Sequence, residues 1–173
     1  MHLTSAQWIA QILGVITIII SVMIPHMKTK IRLLSLNLVC NVVQLSEFAV
    51  IGALTGIAGD ISATIRVLVL FVFAKKCKRA PVWILFALIT AHIIIIAVEW
   101  QGWLSVLMIL PIASIYGQWQ EKMQIIRITA IITSVGFGTY SLLSGAYTGA
   151  INDLMIITST SFALWKFRKC HAE

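Results

Sequence analysis

Long apolar runs separated by short polar or charged connections dominate the chain, at about 6–24, 33–54, 58–74, 82–98, 103–116, 125–143 and 151–167. A helix rises about 1.5 Å per residue, so roughly 20 apolar residues cross the ~30 Å hydrocarbon core of a bilayer. The third, fifth and seventh runs are short of that length. The pattern predicts an all-α polytopic membrane protein with seven transmembrane helices.

The connections repeat. GALTGIAGDI at 52–61 returns as GAYTGAINDL at 145–154, with glycine, alanine, threonine, glycine and aspartate in register. Each copy ends one apolar run and opens the next, so Gly52, Gly56, Gly145 and Gly149 are expected to make tight turns. Asp60, Asn152 and Asp153 are expected to cap or favour the positive end of the following helix. Upstream, KTKIRLLSLNLVCN and EKMQIIRITAIITS both place basic residues before an apolar run, with a shift of about two residues. An odd helix between two three-helix units would give them the same direction, as in parallel transporter repeats. The expected plan is a first three-helix repeat over 1–79, a linker transmembrane helix over 80–101, and a second repeat with a cytoplasmic tail over 102–173.

Composition supports a membrane setting. Of 173 residues, 60% are hydrophobic and 11% charged, with a mean hydropathy of +0.97, outside the range of a water-soluble domain. The net charge of +7 resembles a nucleic-acid signal only until the positions are examined. Lys28, Lys30 and Arg32, then Lys75, Lys76, Lys78 and Arg79, then Lys122 and Arg127, then Lys166, Arg168 and Lys169 cluster at alternate ends of the apolar runs. By the positive-inside rule those ends are cytoplasmic, with the N-terminus outside and the C-terminus inside. Membrane lipids, not nucleic acid, are the partners this implies. MHLTSAQW has no lysine or arginine ahead of the first apolar run, so that run is read as retained. Cys40, Cys77 and Cys170 show no paired or metal-ligand spacing. Neither a metal nor a cofactor is expected.

Polar residues inside the runs are the candidate chemistry. Arg66 falls mid-run, and a charge facing lipid there costs roughly 2.5–3.5 kcal/mol on insertion scales. Glu47 lies at a similar depth if the turn is centred between 56 and 57, and offers it a partner. Paired only with each other, the two are structural. With donors left toward a cavity, Arg66 attracts an anion or binds a solute. An offset of 93 carries Glu47 to Tyr140 and Arg66 to Ser159, and Asn41, Gln44 and Thr158 complete a candidate polar lining. Pro25, Pro111, Gly136 and Gly138 are the candidate gating positions, with Pro111 expected to kink a short fifth helix.

The segment ISVMIPHMKTKIRLLSLNLVCNVV resembles the first helix end and following helix of PQ-loop proteins, the group that includes the SWEET and SemiSWEET sugar transporters. The chain departs from their proline-glutamine pair, since His26 follows Pro25. Across nearly its whole length, and at GAYTGA in particular, it more closely resembles YgjV-type bacterial inner membrane proteins. The resemblance implies an inner-membrane location, three-helix bundles and an alternating-access path, with attention on Asp60 to Arg66 and Asn152 to Ser159.

No GxSxG, HExxH or P-loop is present, and an enzyme is not expected. The reading is a small-solute transporter using a mid-membrane site between the two repeats, for an anionic or strongly hydrogen-bonding metabolite. A non-transporting scaffold held by a Glu47/Arg66 pair is the alternative, and self-association is left open. If Glu47 couples solute movement to protons, flux should depend on pH in the native protein and lose that dependence in Glu47→Gln. Flux independent of pH in both would exclude the coupling.

Overall fold

The computed structural model describes residues 5–51, 54–98, 106–107, 109–143 and 147–169. The described residues form seven α-helices: α1 (Ser5–Met23), α2 (Lys30–Ile51), α3 (Leu54–Lys75), α4 (Val82–Val98), α5 (Ile112–Trp119), α6 (Met123–Leu143) and α7 (Tyr147–Lys169). They fall into two compact units, Met1–Cys77 and Lys78–Glu173. In the first, α2 packs against both α1 and α3; in the second, α6 packs against α7 and α5, and α5 against α4.

The helices are built inside out relative to those of a water-soluble protein. On α1 the protected face is Ala10, Thr17 and Ser21, with half-buried Gly14 in the same register, while Trp8, Ile9, Ile12, Val15 and Ile19 are exposed. Spacings of three and four put the small and hydroxyl-bearing residues on one stripe. Thr17 and Ser21 donate to the carbonyls of Leu13 (3.0 Å) and Ile18 (2.9 Å), so their hydroxyls are satisfied within the helix. The Cys40 thiol of α2 donates across to the Thr17 carbonyl at 3.7 Å. On α4, Trp83, Phe86, Ile94 and Val98 face outward. In water such exposure forgoes about 25 cal/mol per Å² of apolar surface, whereas lipid removes that incentive and favours small residues at helix contacts.

The expected seven spans in a three-one-three arrangement do not form. By length and composition, three helices among the described residues can cross a membrane: Trp8–His26, Lys30–Val50 and Met123–Leu143. The α5 helix has eight residues, about 12 Å of rise, and α4 has 17. Although α7 is long enough at 23 residues, Asn152, Asp153, Thr158, Ser159, Thr160 and Ser161 interrupt its apolar character. The two units are not copies, because α4 joins the second unit and α5 has no counterpart of its length in the first.

Pro111 also differs from its expected role. It stands at the N-cap of α5 with φ −55° and starts the helix instead of kinking it, a position that needs no amide hydrogen. Pro25 is buried in the 3-10 turn Ile24–His26 that ends α1.

The short α5 is anchored at its far end. The Trp119 indole N–H donates to the Ala80 carbonyl at 2.7 Å, and the Arg79 guanidinium lies 3.8 Å over the Trp119 ring. Arg79 also donates to the Gln120 side-chain carbonyl at 3.3 Å. This stacked cation and buried indole tie the start of α4 to the end of α5. Gly117 supplies the close approach of α5 to α6, since an added Cβ would lie 2.8 Å from the Thr129 Cβ. Thr129 cannot swing away cheaply, because its hydroxyl already bonds the carbonyls of Ile125 and Ile126 at 2.9 and 3.0 Å. Gly117→Ala should therefore destabilise the protein by about 1–3 kcal/mol, read as a lower thermal-unfolding midpoint, and Thr129→Ala should not restore it fully, because the alanine keeps the Cβ that lies 2.8 Å away.

Candidate functional site

The α2–α3 connection decides which polar groups meet. Helix α3 begins at Leu54, so Gly56 lies inside it, while Gly52 lies outside the described residues. The second connection behaves alike: α7 begins at Tyr147 and includes Gly149, and Gly145 lies outside the described residues. The repeated glycine and threonine thus mark the opening turns of helices. Asp60, Asn152 and Asp153 sit beyond those first turns, neither of which contains an acidic residue, so they are not placed to cap the leading amide groups.

Because α2 ends at Ile51 and α3 begins at Leu54, ahead of the expected centre at 56–57, the antiparallel register changes. Glu47 comes level with the start of α3, and Arg66 with about residue 39. The carboxyl group that comes within electrostatic reach of Glu47 is Asp60, which also acts on Cys40. Among the described residues no ion pair joins Glu47 to Arg66. The Glu47 carboxyl instead lies against α1, where a Cβ added at Gly14 would be 3.1 Å from Oε1.

The first unit therefore holds polar groups with unmet hydrogen-bonding capacity. Oδ2 of Asp60, Oγ1 of Thr64 and Nε of Arg66 are buried without a hydrogen-bond partner. Asp60 and Arg66 share α3 with Thr64 between them, one turn beyond Asp60. Asn41 and Gln44, on α2, are half-buried. This arrangement offers an acceptor, a hydroxyl and a guanidinium donor along a single helix.

The second unit places its candidates differently. Asp153 packs on Gly138, where an added Cβ would lie 3.2 Å from the Asp153 Cβ, and Ser134 hydrogen-bonds its carboxyl group. Gly136 is pressed against Leu110, whose Cβ would be 2.8 Å from an added Cβ. Thr158 is exposed and donates to the Leu154 carbonyl at 2.8 Å, which turns its hydroxyl back on its own helix. Tyr140 and Ser159 are half-buried and engaged in interactions of their own.

A family model described as Imp-YgjV, bacterial inner membrane protein, matches residues 8–171. The chain belongs to this family. It is a multi-pass protein of the bacterial inner membrane, in keeping with the outward-facing apolar surfaces of α1 and α4. No curated protein and no solved structure matches the chain.

Several buried polar residues escaped the sequence reading. Thr160 is fully buried with an unpartnered hydroxyl; Gln118 is buried with its side-chain oxygen unpartnered; Arg127 is buried with its guanidinium 4.4 Å over the Phe167 ring. Thr160 follows Asp153 by seven residues, two helical turns on the same face, and that spacing was the available signal. Gln118 and Arg127 read as interfacial polar residues, and only packing against neighbouring helices buries them.

The Glu47 and Asp60 juxtaposition has a measurable cost. Burial is the larger cost for these carboxyl groups, and the like charge of Glu47 within electrostatic reach of Asp60 adds to it. Asp60→Asn and Glu47→Gln should each raise the thermal-unfolding midpoint. The double variant should fall short of the sum by roughly 0.5–3 kcal/mol, since either change relieves the same repulsion. Additive effects would mean that the two groups do not interact.

Proposed function

We propose that the protein is a small-solute transporter whose solute meets Arg66 and Asp60 within the membrane. The observation that carries this reading is the buried Nε of Arg66, which has no hydrogen-bond partner. Arg66 stands well inside α3, away from both ends, where snorkelling to the headgroups is difficult. A charged side chain whose polar atoms are taken out of water is expensive, and such residues ordinarily face a wet path or a partner. Its guanidinium can hold a carboxylate, phosphate or other anionic oxygen group in bidentate fashion.

The rival reading, a scaffold fixed by a Glu47/Arg66 pair, requires a contact that is not made among the described residues. The likeness around Pro25 to PQ-loop proteins favours an alternating-access cycle, in which the Arg66 level opens to one side of the membrane at a time. No catalytic step is part of this function. The basic clusters at Lys28 to Arg32 and Lys75 to Arg79 favour a cytoplasmic side for those ends, and hence an N-terminus outside.

A screen of anionic and polyhydroxylated metabolites, by thermal shift in detergent and by uptake into proteoliposomes, tests the proposal. At least one solute should stabilise and be taken up by the native protein. Arg66→Ala should weaken both responses roughly tenfold or more, with Arg66→Lys intermediate because it keeps charge without the planar fork. Equal responses in native protein and Arg66→Ala, or none across the screen, would defeat it.

A further inference from the structure

A separate feature lies on the second unit, where α6 and α7 leave a groove of about 370 Å³ between them. Its walls include Val135, Leu142, Ile151, Leu154 and Ile157, and among the described residues Asp153 is the one charged residue that lines it. The volume lies in the range of small-molecule sites.

The polar inventory of the groove is one-sided. Thr139 lines it, but its hydroxyl donates to the Val135 carbonyl at 2.7 Å. Ser134 hydrogen-bonds Asp153. No lysine or arginine among the described residues forms an ion pair with that carboxyl group. The groove therefore presents an acceptor group on an apolar wall, with its two lining hydroxyls already committed. A sugar would leave most of its hydroxyls unpartnered there, and an anion would meet like charge. The complementary ligand has a large apolar body and one positive charge.

We infer that the α6–α7 groove binds lipophilic monovalent cations, with Asp153 as the counter-ion. Gly138 favours this placement: an added Cβ would lie 3.2 Å from the Asp153 Cβ and would push that side chain by a few tenths of an ångström from its place beside Ser134. The ligand reaches the groove from the lipid phase, where its apolar body already partitions. The groove walls then cover that body while the carboxylate replaces the headgroup anions the cation leaves behind. This site is independent of Arg66, which belongs to the other unit.

The test uses the full-length protein in an uncharged detergent, with tetraphenylphosphonium as the probe and tetraphenylborate as a counterpart of similar shape and opposite charge. Equilibrium dialysis should show saturable binding of the cation, and no displacement by the anion. Asp153→Asn, which keeps a side chain able to bond Ser134, should weaken cation binding roughly tenfold or more through loss of the charge. Val135→Trp, adding bulk at an exposed part of the wall, should weaken it similarly, and Arg66→Ala should leave it unchanged. A variant-free measurement covers failure to fold: tetraphenylphosphonium should protect Asp153 of the native protein from carbodiimide modification, and tetraphenylborate should not. Non-saturable partitioning, full-strength binding by Asp153→Asn, or equal protection by the two ions would overturn the inference.

Discussion

The structure depends on a solvent that gives no reward for hiding large apolar side chains. Once lipid surrounds the helices, Ile, Val, Phe and Trp can face outward without penalty, as they do along α1 and α4. The inward face of α1 then goes to residues that permit close backbone approach or satisfy polar atoms locally, while Leu34, Val67, Leu70 and Ile115 fill the contacts of other helices. Ala10, Gly14, Thr17 and Ser21 on α1 follow this rule. Hydroxyls that donate to carbonyls of their own helix, as Thr17, Ser21, Thr129 and Thr139 do, let a polar residue sit in this setting without a distant partner.

Against that background the charged residues stand out by how they are accommodated. In each unit a carboxylate rests on a glycine of the neighbouring helix, Glu47 on Gly14 and Asp153 on Gly138. The missing side chain makes room, and what surrounds each carboxyl group then differs. Asp153 receives a hydroxyl and lines an apolar groove. Glu47 lies within electrostatic reach of a second carboxyl group, Asp60, on the same helix as an unpartnered guanidinium nitrogen.

The basic end of the second unit is held by another device. Trp119 is buried with its indole nitrogen bonded to the Ala80 carbonyl and its face covered by Arg79. The Arg79 charge thereby also fastens helices together and contributes to packing. The eight-residue α5 lacks the length to secure itself across a bilayer, and this anchor together with the Gly117 contact holds it in place.

The sequence by itself determined the membrane setting, the all-α class and the presence of ionisable residues inside apolar runs, because these follow from composition and periodicity, which are properties of the chain read locally; the family was legible only as a resemblance of its motifs. Pattern alone overstated the number of spans: an apolar run does not reveal that Pro111 starts a new helix, or that polar residues divide α7. Tertiary structure decided which groups meet. A shift of the α2–α3 turn by a few residues gives Glu47 the company of Asp60 and leaves Arg66 without its expected partner, since antiparallel helices convert each residue of displacement at the turn into two of register. Burial of Gln118, Arg127 and Thr160 was likewise set by neighbouring helices, because a residue's exposure depends on packing that its own sequence window does not contain.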